Sequence, residues 1–213
     1  MISTRVNTVI VGAGQAGLAM SAHLREHYID HVVLERDSIA ERWRNARWDS
    51  LVMNGPAWHD RFPARSFDSD PDGFPDKNEV TRYFEDFAKQ IDAPIYCGVE
   101  VTSTTARLDG GYQVETTKGN IHADHVVAAT GPFQTPVIPA IVPDGVVSQI
   151  HSFHYHNPEQ LQDGAVLVVG AGSSGAQIAD ELLRSGRKVY LSIGPHDRPP
   201  QSYRGKDFVW WLK

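Results

Sequence analysis

The sequence has one cysteine among its 213 residues. Cys97 alone forms no disulfide within the chain and completes no cysteine-based metal site. It also leaves no redox pair of cysteines, which rules against a disulfide reductase. The chain therefore reads as intracellular and reduced. Long apolar runs are missing too. Val9-Ile10-Val11 leads straight into glycines, unlike a signal segment, and nothing approaches bilayer length. A cytoplasmic protein with no membrane partner is expected. Basic charge is in deficit, with 20 Lys and Arg against 26 Asp and Glu and a net charge of -6. That balance excludes a general attraction for nucleic acid or for an anionic membrane face.

What is present is an internal repeat. Asn7-Thr8-Val9-Ile10-Val11-Gly12-Ala13-Gly14-Gln15-Ala16-Gly17 opens the chain, and Ala165-Val166-Leu167-Val168-Val169-Gly170-Ala171-Gly172-Ser173-Ser174-Gly175 follows far downstream. Each is a β-branched run, then Gly-x-Gly-x-x-Gly, then a helical pattern. Each continues to a second short strand, His31 to Glu35 and Lys188 to Ser192. The expected fold class is α/β. A Rossmann-like dinucleotide-binding domain, a parallel sheet plus a small antiparallel meander, is followed by the first β-α-β unit of a second Rossmann-like domain. The expected boundaries are 1–150 for the first domain, 151–164 for a linker and 165–213 for the partial second domain.

Between the repeats, residues 36–77 lack periodicity and read as loop with short helices. Asn78 to Ile91 carries apolar residues at helical spacing. Residues 99–123 read as an antiparallel meander, His125 to Ala129 as a separate buried strand, and 132–164 as a Pro-rich connection.

The glycines have distinct duties. Gly12 permits the tight turn, Gly14 lets a pyrophosphate approach bare backbone, and Gly17 lets the helix pack on the strand. The helix start, with Gln15 and Ala16, offers free N–H groups and a favourable dipole to phosphate. Glu35 ends the second strand about 20 residues past the glycines, where a carboxylate accepts ribose hydroxyls, and Arg36 follows it. In the second unit Gly170, Gly172, Ser173, Ser174 and Gly175 take the corresponding places. Aligned by strands, Ser192 stands where Glu35 stood. A serine tolerates a 2′-phosphate that a carboxylate repels. Arg198, with Arg187, Lys188 and Arg204, supplies cations nearby in sequence, so NADP is favoured over NAD.

Two such sites in one chain suggest the flavoproteins with two dinucleotide-binding domains. The connection narrows this. His151-Ser152-Phe153-His154-Tyr155 resembles the flavin-containing monooxygenase signature Phe-x-Gly-x-x-x-His-Ser-x-x-Tyr on His151, Ser152 and Tyr155. It departs at Gly145 and Val147, which stand where the signature has Phe and Gly. Leu51 to Pro56 is similar to the family segment that sets an asparagine beside the flavin. Ala129-Thr130-Gly131 is similar to the exit from the flavin domain, and Tyr203 to Asp207 resembles the stretch after the second unit. The family's Gly-Gly-x-Trp pattern is partly kept around Arg42-Trp43-Arg44.

The resemblance implies FAD and NADPH as cofactors, with a FAD-binding first domain and an NADPH-binding second domain. NADPH reduces the flavin, which meets O2, forms a C4a-(hydro)peroxide and oxygenates a small organic substrate. It implies Asn54 as the catalytic residue, since an amide offers both donor and acceptor. The alternative for Asn54 is an asparagine that shapes the turn before Gly55-Pro56. Trp43, Val101, Thr130 and Gly131 join the implied cofactor-binding set. Trp43, Trp48 and Trp58 can wall the flavin or simply pack. No metal is expected: His151, His154 and His156 lie close together, but only Glu159 stands near to complete a ligand set. Gly172-Ser173-Ser174-Gly175 is not a nucleophile elbow.

Family members are roughly twice this length on domain-size arithmetic. The resemblance therefore implies a missing C-terminal half or completion by self-association. Two rival readings stay open: a FAD-binding module without turnover, and an NADPH oxidase-type flavoprotein that releases peroxide.

Overall fold

The computed structural model describes residues 4–143, 145–195 and 200–212. Contacts gather the chain into two units, residues 1–45 with 78–135, and residues 46–77 with 136–213.

The first unit is built on one sheet. Strand β1 (Arg5–Val11) leads into helix α1 (Gln15–Glu26) and returns as β2 (His31–Glu35). A short helix α2 (Glu41–Arg44) follows, then α3 (Lys77–Gln90), β3 (Ile95–Cys97), β4 (Val101–Ala106), β5 (Tyr112–Thr116) and β6 (Gly119–Ala128). The strand order is β3-β2-β1-β6-β5-β4. Pairing is parallel from β3 through β2 and β1 to β6, and antiparallel from β6 through β5 to β4. Strands buried on both faces read as continuous apolar runs, and in β1 both Val9 and Ile10 are fully buried. One face packs Val6, Val9, Val32, Leu34, Val99, Val114, Ile121 and Ala123 together. The other packs Ile10, Ala13 and Val33, with Met20 and Leu24 of α1 against them. Helix α3 buries Val80, Tyr83, Phe84, Phe87 and Ala88, the stripe its periodicity predicts.

One strand expectation needs correction. The last meander strand and the stretch from His125 are a single strand, β6. It pairs antiparallel with β5 over Gly119–Ala123 and parallel with β1 over His122–Ala128. Asp124 and His125 read as a break, but both are exposed on a strand that runs on through them. The end of β6 is only partly buried.

The second unit holds β7 (Val166–Val169), α4 (Ser173–Arg184) and β8 (Val189–Ser192), with β7 parallel to β8. A hairpin, β9 (Ser202–Tyr203) with β10 (Lys206–Asp207), turns through Arg204 and Gly205, both at positive φ, as a two-residue turn requires. Residues 208–212, which include Trp210 and Trp211, form a 3-10 turn. Segment 46–77 belongs to this unit. Its Asp49 carboxylate meets Lys77 at 2.6 Å and the Asn157 amide at 2.9 Å. Those two hydrogen bonds hold the Asp49 carboxyl below its ordinary range.

Candidate functional site

The two β-α-β units repeat each other without a gap. Gln15 to Glu26 and Ser173 to Arg184 are helices of the same length, and the same offset carries Gly12 to Gly170 and His31 to Val189. In both, the turn glycine has positive φ, +109° at Gly12 and +100° at Gly170. In both, its N–H bonds the facing strand, Gly12 to the Leu34 carbonyl at 2.8 Å and Gly170 to the Ser192 carbonyl at 3.0 Å.

The third glycine of each fingerprint is a packing necessity. A β-carbon on Gly17 would run into the Gly12 carbonyl oxygen, and one on Gly175 into that of Gly170. The middle glycine is different. A β-carbon on Gly14 or Gly172 would meet nothing within 4 Å. The fold does not demand glycine there, so the bare backbone is left for a visitor. Both helices start uncapped, with no side-chain bond at the cap and no acidic residue in the first turn. The first ladder bonds run from Leu18 to Gly14 and from Ala176 to Gly172. The N–H groups of Gln15, Ala16 and Gly17, and of Ser173, Ser174 and Gly175, precede them. Bare backbone at an uncapped helix start suits a pyrophosphate.

Around the first turn, Glu35 is anchored at both oxygens, by Ala13 N–H at 2.8 Å and Asp37 N–H at 3.1 Å. A carboxylate so held keeps further lone pairs for hydroxyl groups. Ala40, at φ +59°, starts α2 and donates its N–H to the Ala13 carbonyl at 3.3 Å. Half-buried Trp43 rides on that helix. Gly12 lies against the other side of the site: a β-carbon on it would sit 2.5 Å from the Ala129 carbonyl oxygen, next to Thr130 and Gly131. Gln134 donates to the Thr130 carbonyl and, at 3.3 Å, to that of Gly131. It also accepts from Arg36 at 3.5 Å and Arg42 at 3.4 Å, and Arg42 donates to the Phe133 carbonyl. Gln134, which no sequence signal marked, and Arg42, next to Trp43 in the partly kept Gly-Gly-x-Trp pattern, therefore join the candidate site. Val101 packs on the core that holds Val9 and Leu34. The Glu35 carbonyl is instead met by Val99 N–H at 2.9 Å.

Around the second turn the register corrects the strand alignment. Val11 pairs with Leu34, and Val169 with Ser192. Ser192 is thus the counterpart of Leu34, and Ile193 is the counterpart of Glu35. The slip arose because β8 is exposed, so its side-chain pattern does not fix the register. The position still carries no carboxylate. The basic residues are also reassigned. Arg187 donates to the carbonyls of Pro158, Leu161 and Gln162 at 2.6 to 3.0 Å, so it fastens the linker. Lys188 lies over the Tyr190 ring and Arg204 over that of Tyr203. Arg198 lies outside the described residues.

Asn54 is exposed in the second unit, before the buried Gly55-Pro56-Ala57. A β-carbon on Gly55 would press on the Asp60 carboxylate, the end of a side chain that can shift. Asn54 Oδ1 accepts from Gln177 Nε2 at 3.4 Å. Trp48 is buried, and its indole N–H has no partner among the described residues. Tyr155 of the linker is 2% exposed and donates to Glu181 of α4 at 2.6 Å. Burial and that carboxylate push the Tyr155 phenol far above its ordinary value. His151 accepts the Phe153 N–H at 3.0 Å, and His154 packs on the Phe153 ring. Both serve the linker. On the edge strand β3, burial and the neighbouring Glu35 push the Cys97 thiol up, which disfavours a reactive thiolate.

The profile of the family described as pyridine nucleotide-disulphide oxidoreductase matches residues 9–213. The chain belongs to that family. The chain is 43% identical over 212 residues to an uncharacterized CzcO-like oxidoreductase of Geobacillus kaustophilus, covering 98% of this chain and 60% of that protein. It is 30% identical to a probable indole-3-pyruvate monooxygenase, YUCCA1, of Arabidopsis thaliana, covering 87% of this chain and 46% of that one. A flavin-containing monooxygenase from Stenotrophomonas maltophilia shares the fold, with a TM-score of 0.84 at 23% identity, covering 99% of this chain and 63% of that one. The chain thus spans about half to three-fifths of the length of these relatives. Among the described residues no helix is long and apolar enough to cross a membrane.

Proposed function

We propose that this chain is the cofactor-binding part of a flavin-dependent monooxygenase, in which FAD occupies the first fingerprint and NADPH the second. The observation that carries this reading is the pair of vacant glycines, Gly14 and Gly172, each set at an uncapped helix start. The residues present fit the two groups. Glu35, held by Ala13 and Asp37, is placed to accept the ribose hydroxyls of FAD. The Thr130-Gly131 turn, with Arg36, Arg42 and Gln134 tied to it, closes that site. At the second fingerprint Ile193 stands where a carboxylate would repel a 2′-phosphate, which favours NADPH over NADH.

When bound, the pair supplies hydride transfer and activation of O2 for oxygenation of a small organic substrate. The chain's own task is to hold both diphosphates and to offer the Asn54 amide, a donor and an acceptor that needs no proton exchange. The reading includes a cytoplasmic setting and completion by further chain or a second copy. Leu167 and Val169 of β7 and Ile193 after β8 are apolar and exposed, and such a surface is normally covered.

The test is an absorption spectrum of the purified full-length protein, before and after NADPH, with air and without it. A flavin spectrum bleached by NADPH without air and restored by air is expected. Steady NADPH loss matched by peroxide, with or without substrate, would make the protein an oxidase. A colourless sample that takes up neither FAD nor NADPH would overturn the proposal.

A further inference from the structure

Helix α4 differs from its copy α1 along one face. Gln177 and Glu181 stand where α1 has Ala19 and His23. Four residues apart, they share a face, and both hold chain from outside the β-α-β unit. Glu181 takes the Tyr155 hydroxyl.

Gln177 does something more particular. Val52 forms an isolated antiparallel bridge with Asp76. The bonds of that bridge are made by its neighbours, Met53 N–H to the Pro75 carbonyl at 2.9 Å and Lys77 N–H to the Leu51 carbonyl at 3.2 Å. The N–H and C=O of Val52 itself therefore point the other way. Gln177 meets both, as a neighbouring strand would. Its Oε1 accepts the Val52 N–H at 3.2 Å, and its Nε2 donates to the Val52 carbonyl at 3.0 Å. The same Nε2 donates to Asn54 Oδ1 at 3.4 Å. Asn54 Nδ2 has no protein acceptor among the described residues.

We propose that Gln177 is a positioning residue that turns the Asn54 carboxamide so that its Oδ1 faces α4 and its two N–H donors face outward. The helix whose start holds the nicotinamide cofactor thereby also sets the polarity of the candidate catalytic amide. This rests on the reading of Asn54 given above, and the test separates the two.

The variants are Gln177→Ala, Gln177→Glu and Asn54→Asp in the full-length protein. The first readout is free of turnover: hydrogen exchange at the Val52 amide and the NMR resonances of the Asn54 side-chain NH2. Gln177→Ala should speed Val52 exchange by about tenfold, the loss expected of one hydrogen bond. Gln177→Glu keeps the acceptor for Val52 N–H but removes the donor. Val52 protection should persist, while the Asn54 amide flips toward the new carboxylate and its NH2 resonances shift. The second readout is NADPH turnover. Gln177→Glu and Asn54→Asp should each lower kcat more than they raise KM, since both remove the outward donors. The double variant should be no worse than either single one.

Unchanged Val52 exchange and unchanged Asn54 resonances in both Gln177 variants would overturn the proposal. So would effects of Gln177→Glu and Asn54→Asp that multiply. If the resonances respond as described but Asn54→Asp turns over like the parent, positioning by Gln177 stands and the catalytic role of Asn54 falls.

Discussion

The two β-α-β units are copies in backbone and opposites in surroundings. β1 has a partner on each side, β2 and β6, and its Val6, Val9 and Ile10 are buried. Among the described residues β7 pairs with β8 alone, and Leu167 is 59% exposed where its counterpart Val9 is 0%. A β-carbon on Gly12 would press on Ala129, whereas one on Gly170 would meet nothing within 4 Å. What survives this difference is what the turn imposes on itself: positive φ at the first glycine, an open middle glycine, and a third glycine pressed on the first. What does not survive was contributed by neighbours. The middle glycine, Gly14 or Gly172, is thus the part of the fingerprint that the fold leaves open, and the third glycine, Gly17 or Gly175, the part that the fold needs.

The largest effect should come from the third glycines. Gly17→Ala and Gly175→Ala each place a methyl group on a backbone oxygen that cannot rotate away. Overpacking of that kind costs about 3 kcal/mol. Urea unfolding of both variants is the measure. Losses within about 0.5 kcal/mol of the parent, the range of surface substitutions, would mean that the helices ride off the strands at little cost.

The middle glycines should behave in the opposite way. Gly14→Val and Gly172→Val should leave the fold intact, because a β-carbon at either position meets nothing within 4 Å. Each should weaken its own cofactor by about a hundredfold, equivalent to two steps of 1.4 kcal/mol. Gly14→Val should cost FAD alone and Gly172→Val NADPH alone, read by flavin content and by titration. Loss of both cofactors from either variant would erase the division of labour.

A smaller effect tests the corrected register. Ile193→Glu restores at the second unit the carboxylate that the first unit has at Glu35. Repulsion of the 2′-phosphate should shift the NADPH-to-NADH preference toward NADH by about tenfold. The same change at Ser192 should do less. If Ser192→Glu has the larger effect, the strand alignment is right and the hydrogen-bonded register is misleading.

These tests also mark how far the sequence could be read. The fingerprints were legible because their glycine spacing follows from contacts within the turn, Gly17 on Gly12 and Gly175 on Gly170. The helix Lys77–Gln90 was legible because its buried residues recur at helical spacing. The slip from Ile193 to Ser192 came from trusting strand pattern over distance from the glycines on an exposed strand. The fusion of the last meander strand with β6 was hidden by Asp124 and His125, whose polarity marks exposure and not a chain break. Gln177 and Gln134 were not legible at all, since each acts on residues whose nearness depends on the tertiary fold. Only the copy gave a hint: Gln177 occupies a position where α1 is content with Ala19.

The last comparison concerns how each helix ends, and its effect is the smallest. After α1, Tyr28 N–H bonds the Arg25 carbonyl at 3.0 Å and Ile29 N–H the Leu24 carbonyl at 2.8 Å. After α4, Gly186 N–H bonds the Leu183 carbonyl at 3.0 Å and Arg187 N–H the Leu182 carbonyl at 3.1 Å. Both ends need a left-handed residue, Tyr28 at φ +55° and Gly186 at φ +84°, but only the second unit supplies the glycine that such an end favours. Tyr28 is 96% exposed, so its ring contributes no burial to offset the strain. Tyr28→Gly should therefore stabilise the protein by up to about 1 kcal/mol, the left-handed cost less the added freedom of the unfolded chain. Gly186→Ala should lose about as much. Both are read from the midpoint of urea unfolding. A destabilised Tyr28→Gly would show that the ring holds α1 in a way its exposure denies, and that the two helix ends are alike only in outline.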